Sequence, residues 1–135
     1  KALAVFTRLF GVKPVLSSIM KLMFGKHARR NQPALMNTWR QALAAVHVPS
    51  MMRTLKALDT RDDVIDALSA ITCPAYVMHG SEDTAISLRR GRALAQALPH
   101  STFVQLEQCG HLSNLEQPEV FETHIVRFLT QSTQN

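Results

Sequence analysis

The chain is 135 residues long, 46% hydrophobic and 19% charged, a composition that excludes a disordered polymer and supports one domain with a packed core. No run approaches the roughly 18 apolar residues of a membrane span, so no membrane partner is expected. The net charge of +5 is densest over Lys26–Arg30, but the lone Trp and lone Tyr lie outside that cluster, and without a stacking platform or reading motif no nucleic-acid partner is expected.

Up to residue 60 the sequence reads as helical, with expected helices over Ala2–Phe10, Pro14–Phe24, Pro33–Val46 and Ser50–Leu58. Pro14 and Pro33 suit first helical turns, and Gly11 and Gly25 suit helix ends. Leu35, Met36, Trp39, Leu43 and Val46 recur at three- and four-residue steps, which draws one apolar face along the third helix. The basic stretch Lys26-His27-Ala28-Arg29-Arg30 is expected as a solvated loop between helices. Arg8 interrupts the N-terminal apolar run and no small-residue cleavage pattern follows, so a signal peptide is not expected. A first residue Lys1 rather than Met is what a truncated or processed segment would show.

Beyond residue 60 the pattern changes. Asp62–Leu68 reads as a short amphipathic turn or helix. Ala75–His79 is a compact apolar strand that stops at Gly80, and Thr102–Leu106 is a second strand. Between them a helix is expected from Ser87 to Leu98, with Gly91 allowing close packing on a sheet. Pro118 opens a last helix whose Val120, Phe121, Ile125, Phe128 and Leu129 form a stripe. Strand–helix–strand–helix order implies a parallel strand pair joined by a crossover.

In open parallel sheets, ligands and reactive groups gather beyond the carboxyl ends of the strands. Two loops leave those ends here, Gly80-Ser81-Glu82-Asp83 and Gln108-Cys109-Gly110-His111. Adjacent strands lie about 4.8 Å apart, so a carboxylate on one loop can reach an imidazole on the other. Neutral imidazole can take a proton from a nucleophile and return it to a leaving group, and a carboxylate on its other nitrogen fixes the tautomer. Gly80 and Gly110 are read as allowing sharp departures from the strands. On the residues alone, Asp83 and His111 are either such a pair or an ordinary hydrogen-bonded loop contact. His79 is expected to pack or hydrogen-bond beside Gly80. Cys73 and Cys109 lack metal-ligand or CxxC spacing, and reduced thiols in a cytoplasmic protein are expected. Neither His-x-His nor His-Glu-x-x-His occurs, so neither a metal nor a cofactor is expected.

Cys73-Pro74, the short apolar strand, Gly80-x-x-Asp83, a crossover helix, a second strand and Gly110-His111-Leu112-Ser113-Asn114-Leu115-Glu116-Gln117-Pro118-Glu119-Val120-Phe121 together resemble the C-terminal half of an α/β-hydrolase. The similarity is greatest to the 3-oxoadipate enol-lactonase-like and carboxylesterase-like branch. It implies an α/β fold in which residues 1–60 are a helical cap segment and residues 61–135 the C-terminal part of the core. It also implies Asp83 as triad acid, with Glu82 its nearest competitor, and His111 as base, in an enzyme cleaving a small carboxylic ester or lactone. Met36, Trp39, Met51 and Met52 are expected to contact substrate if the apolar stripe of the cap lines an acyl pocket.

That family's nucleophile sits on a Gly-x-Ser-x-Gly elbow ahead of the acid and the histidine. The five glycines, at 11, 25, 80, 91 and 110, never bracket a serine at that spacing. The nucleophile and oxyanion loop are therefore expected upstream of Lys1, and the fragment by itself is expected to be inactive. Two lone strands also leave an open sheet edge, so association with the missing half, or with another copy, is expected. The resemblance leaves open carbon–carbon bond hydrolysis, haloperoxidase or dehalogenase chemistry, and a non-catalytic binding module on the same scaffold.

Overall fold

The computed structural model describes residues 11–132; the helix expected over Ala2–Phe10 lies outside them. A 3₁₀ turn at Lys13–Val15 leads into α1 (Leu16–Met23), followed by α2 (Lys26–Asn31), α3 (Pro33–Ala44) and α4 (Val48–Thr60). A second 3₁₀ turn at Ile65–Ala70 precedes β1 (Ala75–Gly80), α5 (Leu88–Ala97), β2 (Ser101–Leu106), a single-turn α6 (Ser113–Glu116) and α7 (Pro118–Ser132).

Prolines mark several helix starts as read: Pro14 in the first turn, Pro33 at the start of α3 and Pro118 at the start of α7. Pro49 does the same for α4, which begins two residues earlier than expected. The fixed proline φ and missing N–H cost nothing in a first helical turn.

The basic stretch differs from its expectation. Lys26–Asn31 is a helix, and Ala28 on its inner side is completely buried. Ala28 joins Met20, Phe24 and Met36 in the apolar core of the helical segment, with Met23, Leu35, Trp39, Leu43 and Leu112 packed around it. Phe24 and Trp39 meet at a ring-centroid distance of 6.1 Å. By contrast α4 buries no residue and leaves Leu55 and Leu58 exposed.

β1 and β2 pair in parallel, with Ala75 opposite Ser101 and Gly80 opposite Leu106. Both strands therefore end at the same level, and the loops that follow them emerge side by side. Alternate residues point to opposite faces, and a helix covers each. Tyr76 stacks on Phe128 of α7 at 5.3 Å and shares a 2.9 Å hydrogen bond with His124 Nδ1. On the other face His79 lies under α5, where a Cβ at Gly91 would stand 2.5 Å from His79 Nδ1. The expected close packing at Gly91 is thus a requirement for no side chain at all.

Candidate active site

The two loops at the carboxyl ends of the strands meet. Asp83 Oδ2 lies 2.9 Å from His111 Nδ1. The Asp83 side chain is 5% exposed and that of His111 30%. Asp83 Oδ1 accepts N–H bonds from Ala85 at 2.8 Å and Ile86 at 2.9 Å, so the carboxylate is held by its own turn before it meets the ring. An ionised carboxylate only accepts, hence His111 Nδ1 carries the proton and donates it. Nε2 then holds the free lone pair, and it has no hydrogen-bond partner among the described residues.

His79 and Glu82 compete for neither position. The buried His79 ring donates through Nε2 to the Ile86 carbonyl at 3.1 Å, which leaves its separation from Asp83 Oδ2 at 3.7 Å. Glu82 points its Oε2 at the backbone N–H of His27, 2.8 Å away. Of the two neighbouring carboxylates, only Asp83 meets the imidazole.

The base loop rests on the hinge between α1 and α2. His111 N–H donates to the Met23 carbonyl at 3.2 Å. Glu116 Oε2 accepts from Gly110 N–H at 2.9 Å and from Gly25 N–H at 3.0 Å. The acid loop rests on the same hinge, through Glu82 and through Thr84 Oγ1, which donates to the Lys21 carbonyl at 3.0 Å. These contacts also explain α2. Its capping residue is Gly25, which has no side chain to offer, and unpaired N–H groups of a first turn need acceptors. Two carboxylates distant in sequence supply them, in the orientation the helix dipole favours.

Gly80 and Gly110 serve close approach rather than a sharp turn. Neither has a positive φ; the residue with φ of +55° here is Gln108. A Cβ at Gly80 would collide with the Cys109 and Gly110 carbonyls, and one at Gly110 with the Gly25 amide. Cys109, between them, is a free and fully buried thiol, while Cys73 is free and exposed. Burial first, then the Glu116, Glu82 and Asp83 carboxylates, push the Cys109 thiol up to about 12.

The four residues expected to contact substrate fall in two places. Met36 is a core residue of the helical segment and Trp39 packs at its margin. Met51 and Met52 are half-buried on α4, where Met52 lines a groove with Val48, Pro49, Arg53 and Lys56. Leu112, next to His111, packs against the Met36 cluster, so the base loop and that cluster adjoin. Reading by residue type missed Glu116. Its signal was a glutamate directly before Gln117-Pro118 at the mouth of a helix, a position where solvated acids are commonplace.

The fold is that of an α/β-hydrolase, in its C-terminal portion. A thermophilic esterase from Thermogutta terrifontis superposes with a TM-score of 0.87 at 25% identity, over 97% of this chain and 48% of its own. An enol-lactonase from Burkholderia xenovorans superposes with a TM-score of 0.87 at 26% identity, over 96% of this chain and 49% of its own. Residues 7–132 match the Ndr family, and the chain belongs to that family. RutD of Pseudomonas syringae pv. syringae, provisionally named a carbamate hydrolase, is 36% identical over 103 residues, which are 74% of this chain and 39% of RutD. The chain thus spans half the length, or less, of the proteins it matches.

Proposed function

We propose that this chain is the acid–base portion of a hydrolase that cleaves a small carboxylic ester or lactone, with His111 as general base and Asp83 as the acid that orients it. The observation that carries the reading is the 2.9 Å contact of His111 Nδ1 with a nearly buried Asp83, which leaves Nε2 without a hydrogen-bond partner among the described residues. In the reaction, Nε2 takes the proton of a hydroxyl nucleophile as its oxygen attacks the carbonyl carbon. The imidazolium so formed is stabilised across Nδ1 by Asp83, and it returns the proton to the leaving oxygen. The nucleophile and the oxyanion donors come from outside these 135 residues, and the chain alone is inactive on this reading. Residues 1–60 are its cap segment and residues 61–135 its share of the core, and the partly buried Trp39 is the margin through which the cap cluster would meet an acyl group.

The sheet supports a further part of the reading. Two strands with open edges need a continuation. The partner is the remainder of a longer hydrolase, or a second copy when that is withheld. No described helix is long and apolar enough to cross a membrane, and a cytoplasmic location is proposed with the same reading.

A fluorophosphonate probe on the full-length gene product is the direct test. Covalent labelling of a serine, abolished by heat denaturation and slowed by His111→Ala, is expected. Absence of a serine adduct in folded protein refutes the serine-hydrolase reading. A hydrolytic aspartate in its place would move the reaction class, and inertness towards both would favour a binding module.

A further inference from the structure

We infer that Glu116 is a positioning residue for His111, an inference that rests on the hydrolase reading above for its functional meaning. Glu116 is 3% exposed, so it is no solvated acid. Its Oε2 receives two backbone N–H groups at once, Gly110 at 2.9 Å and Gly25 at 3.0 Å, while its own carbonyl accepts from Gln32 Nε2 at 2.8 Å. Gly110 directly precedes His111, whose N–H is tied to the Met23 carbonyl. Two consecutive amides of the base loop are thereby fixed to residues 23–25, one directly and one through the Glu116 carboxylate.

The arrangement orients rather than merely stabilises, because of where the bonds fall. Gly110 and Gly25 approach so closely that neither can carry a Cβ, so at this crossing no side chain of either residue sets the spacing between the two backbones. The carboxylate supplies that constraint. Its second oxygen, Oε1, is buried and has no hydrogen-bond partner among the described residues. The working group is therefore one acceptor oxygen shared by two donors, and a glutamine can present the same acceptor. Without the acceptor, both amides lose their partner and the base loop is free to shift relative to Asp83. A misplacement of about 1 Å at a reacting group costs on the order of 100-fold in rate.

The test compares Glu116→Gln, which keeps the acceptor, with Glu116→Met, which keeps the volume and removes it, in the full-length protein. Two readouts are needed: hydrolysis of p-nitrophenyl butyrate, and the tautomer of His111 by ¹⁵N NMR of the imidazole without substrate. For Glu116→Met, kcat is expected to fall about 100-fold with KM nearly unchanged, and His111 to lose its exclusive Nδ1–H form. Glu116→Gln is expected to stay within about threefold of wild type in kcat, with the tautomer retained. If Glu116→Met does not fold, Glu116→Asp, which withdraws the acceptor by one methylene, is expected to show the same loss in kcat and the same change of tautomer. A folded Met or Asp variant with wild-type kcat and an unchanged Nδ1–H tautomer overturns the inference, as does a Gln variant as impaired as Met. A wild-type protein that fails to hydrolyse esters defeats the hydrolase reading alone, since the NMR comparison still judges Glu116.

Discussion

The helical segment before residue 60 and the strand-bearing segment after residue 75 divide the work of the site unequally. The helical segment packs locally: Met20, Phe24, Ala28 and Met36 lie within 17 positions of one another and form its core. The strand-bearing segment contributes both titratable side chains, Asp83 and His111, and its two loops bond to each other and also lean on the helical segment. Their anchors on that segment are the Met23 and Lys21 carbonyls and the Gly25 and His27 amides. One region supplies the carboxylate–imidazole pair and the other supplies backbone against which it is held. Interaction between them is mostly hydrogen bonding to main chain, which sets position more sharply than apolar contact does, because it is directional.

The contrast can be broken at several levels. His111→Ala in the full-length protein removes the proposed base and is expected to lower kcat by about 10⁶, as loss of a triad histidine does elsewhere; steady-state ester hydrolysis reads it. Asp83→Asn should retain the fold but present an amide donor to Nδ1, which favours the wrong tautomer and costs about 10⁴ in kcat. If its loss were below tenfold, Asp83 would be a loop carboxylate and nothing more.

Phe24→Ala addresses the other region. Phe24 is 1% exposed at the centre of the helical core, and its truncation is expected to cost about 3–5 kcal/mol in denaturant unfolding. Because residues 23–25 carry the base loop, the same variant should also lower kcat under conditions where it is folded. An unaffected kcat would mean that the two regions are less dependent than their hydrogen bonds indicate. Gly91→Ala tests a contact internal to the strand-bearing segment. The added methyl meets His79, a ring that cannot yield without losing its bond to Ile86. Overpacking of about 1–3 kcal/mol, less about 1 kcal/mol of helix propensity, leaves a net destabilisation of about 1 kcal/mol.

A last effect, read through pH, concerns Cys109. Its thiol gives up a proton near 9.0 when unfolded but near 12 when folded. Between those values the unfolded state binds fewer protons, so stability falls as pH rises through the window and is fully present below it. Denaturation curves of wild type and Cys109→Ala should therefore converge between pH 9 and 12, whereas parallel curves would show that the thiol is not protected.

Much of this was legible. Helix starts at Pro14, Pro33 and Pro118 follow from proline's own geometry, and Pro49 carried the same signal for α4 without being used. The strands announced themselves by short apolar runs, and the parallel pairing followed from their order. Asp83 and His111 were legible as the ends of two such strands, although 28 positions apart. Lys26–Asn31 was not, since a six-residue helix with one inward alanine has no apolar period to detect.

What the sequence determined by itself was therefore the order of most elements, the family resemblance and the two loops that would meet, because these depend on local backbone preference and on residue type. Tertiary structure alone decided that Glu82 leaves the imidazole to Asp83, that Gly25 and Gly110 must stay bare, and that Glu116 ties His111 to the helical hinge. Those outcomes turn on carboxylates meeting amides 55 and 91 positions away. A hydrogen bond at that separation leaves no periodicity in the chain, and only the folded path brings its two ends together.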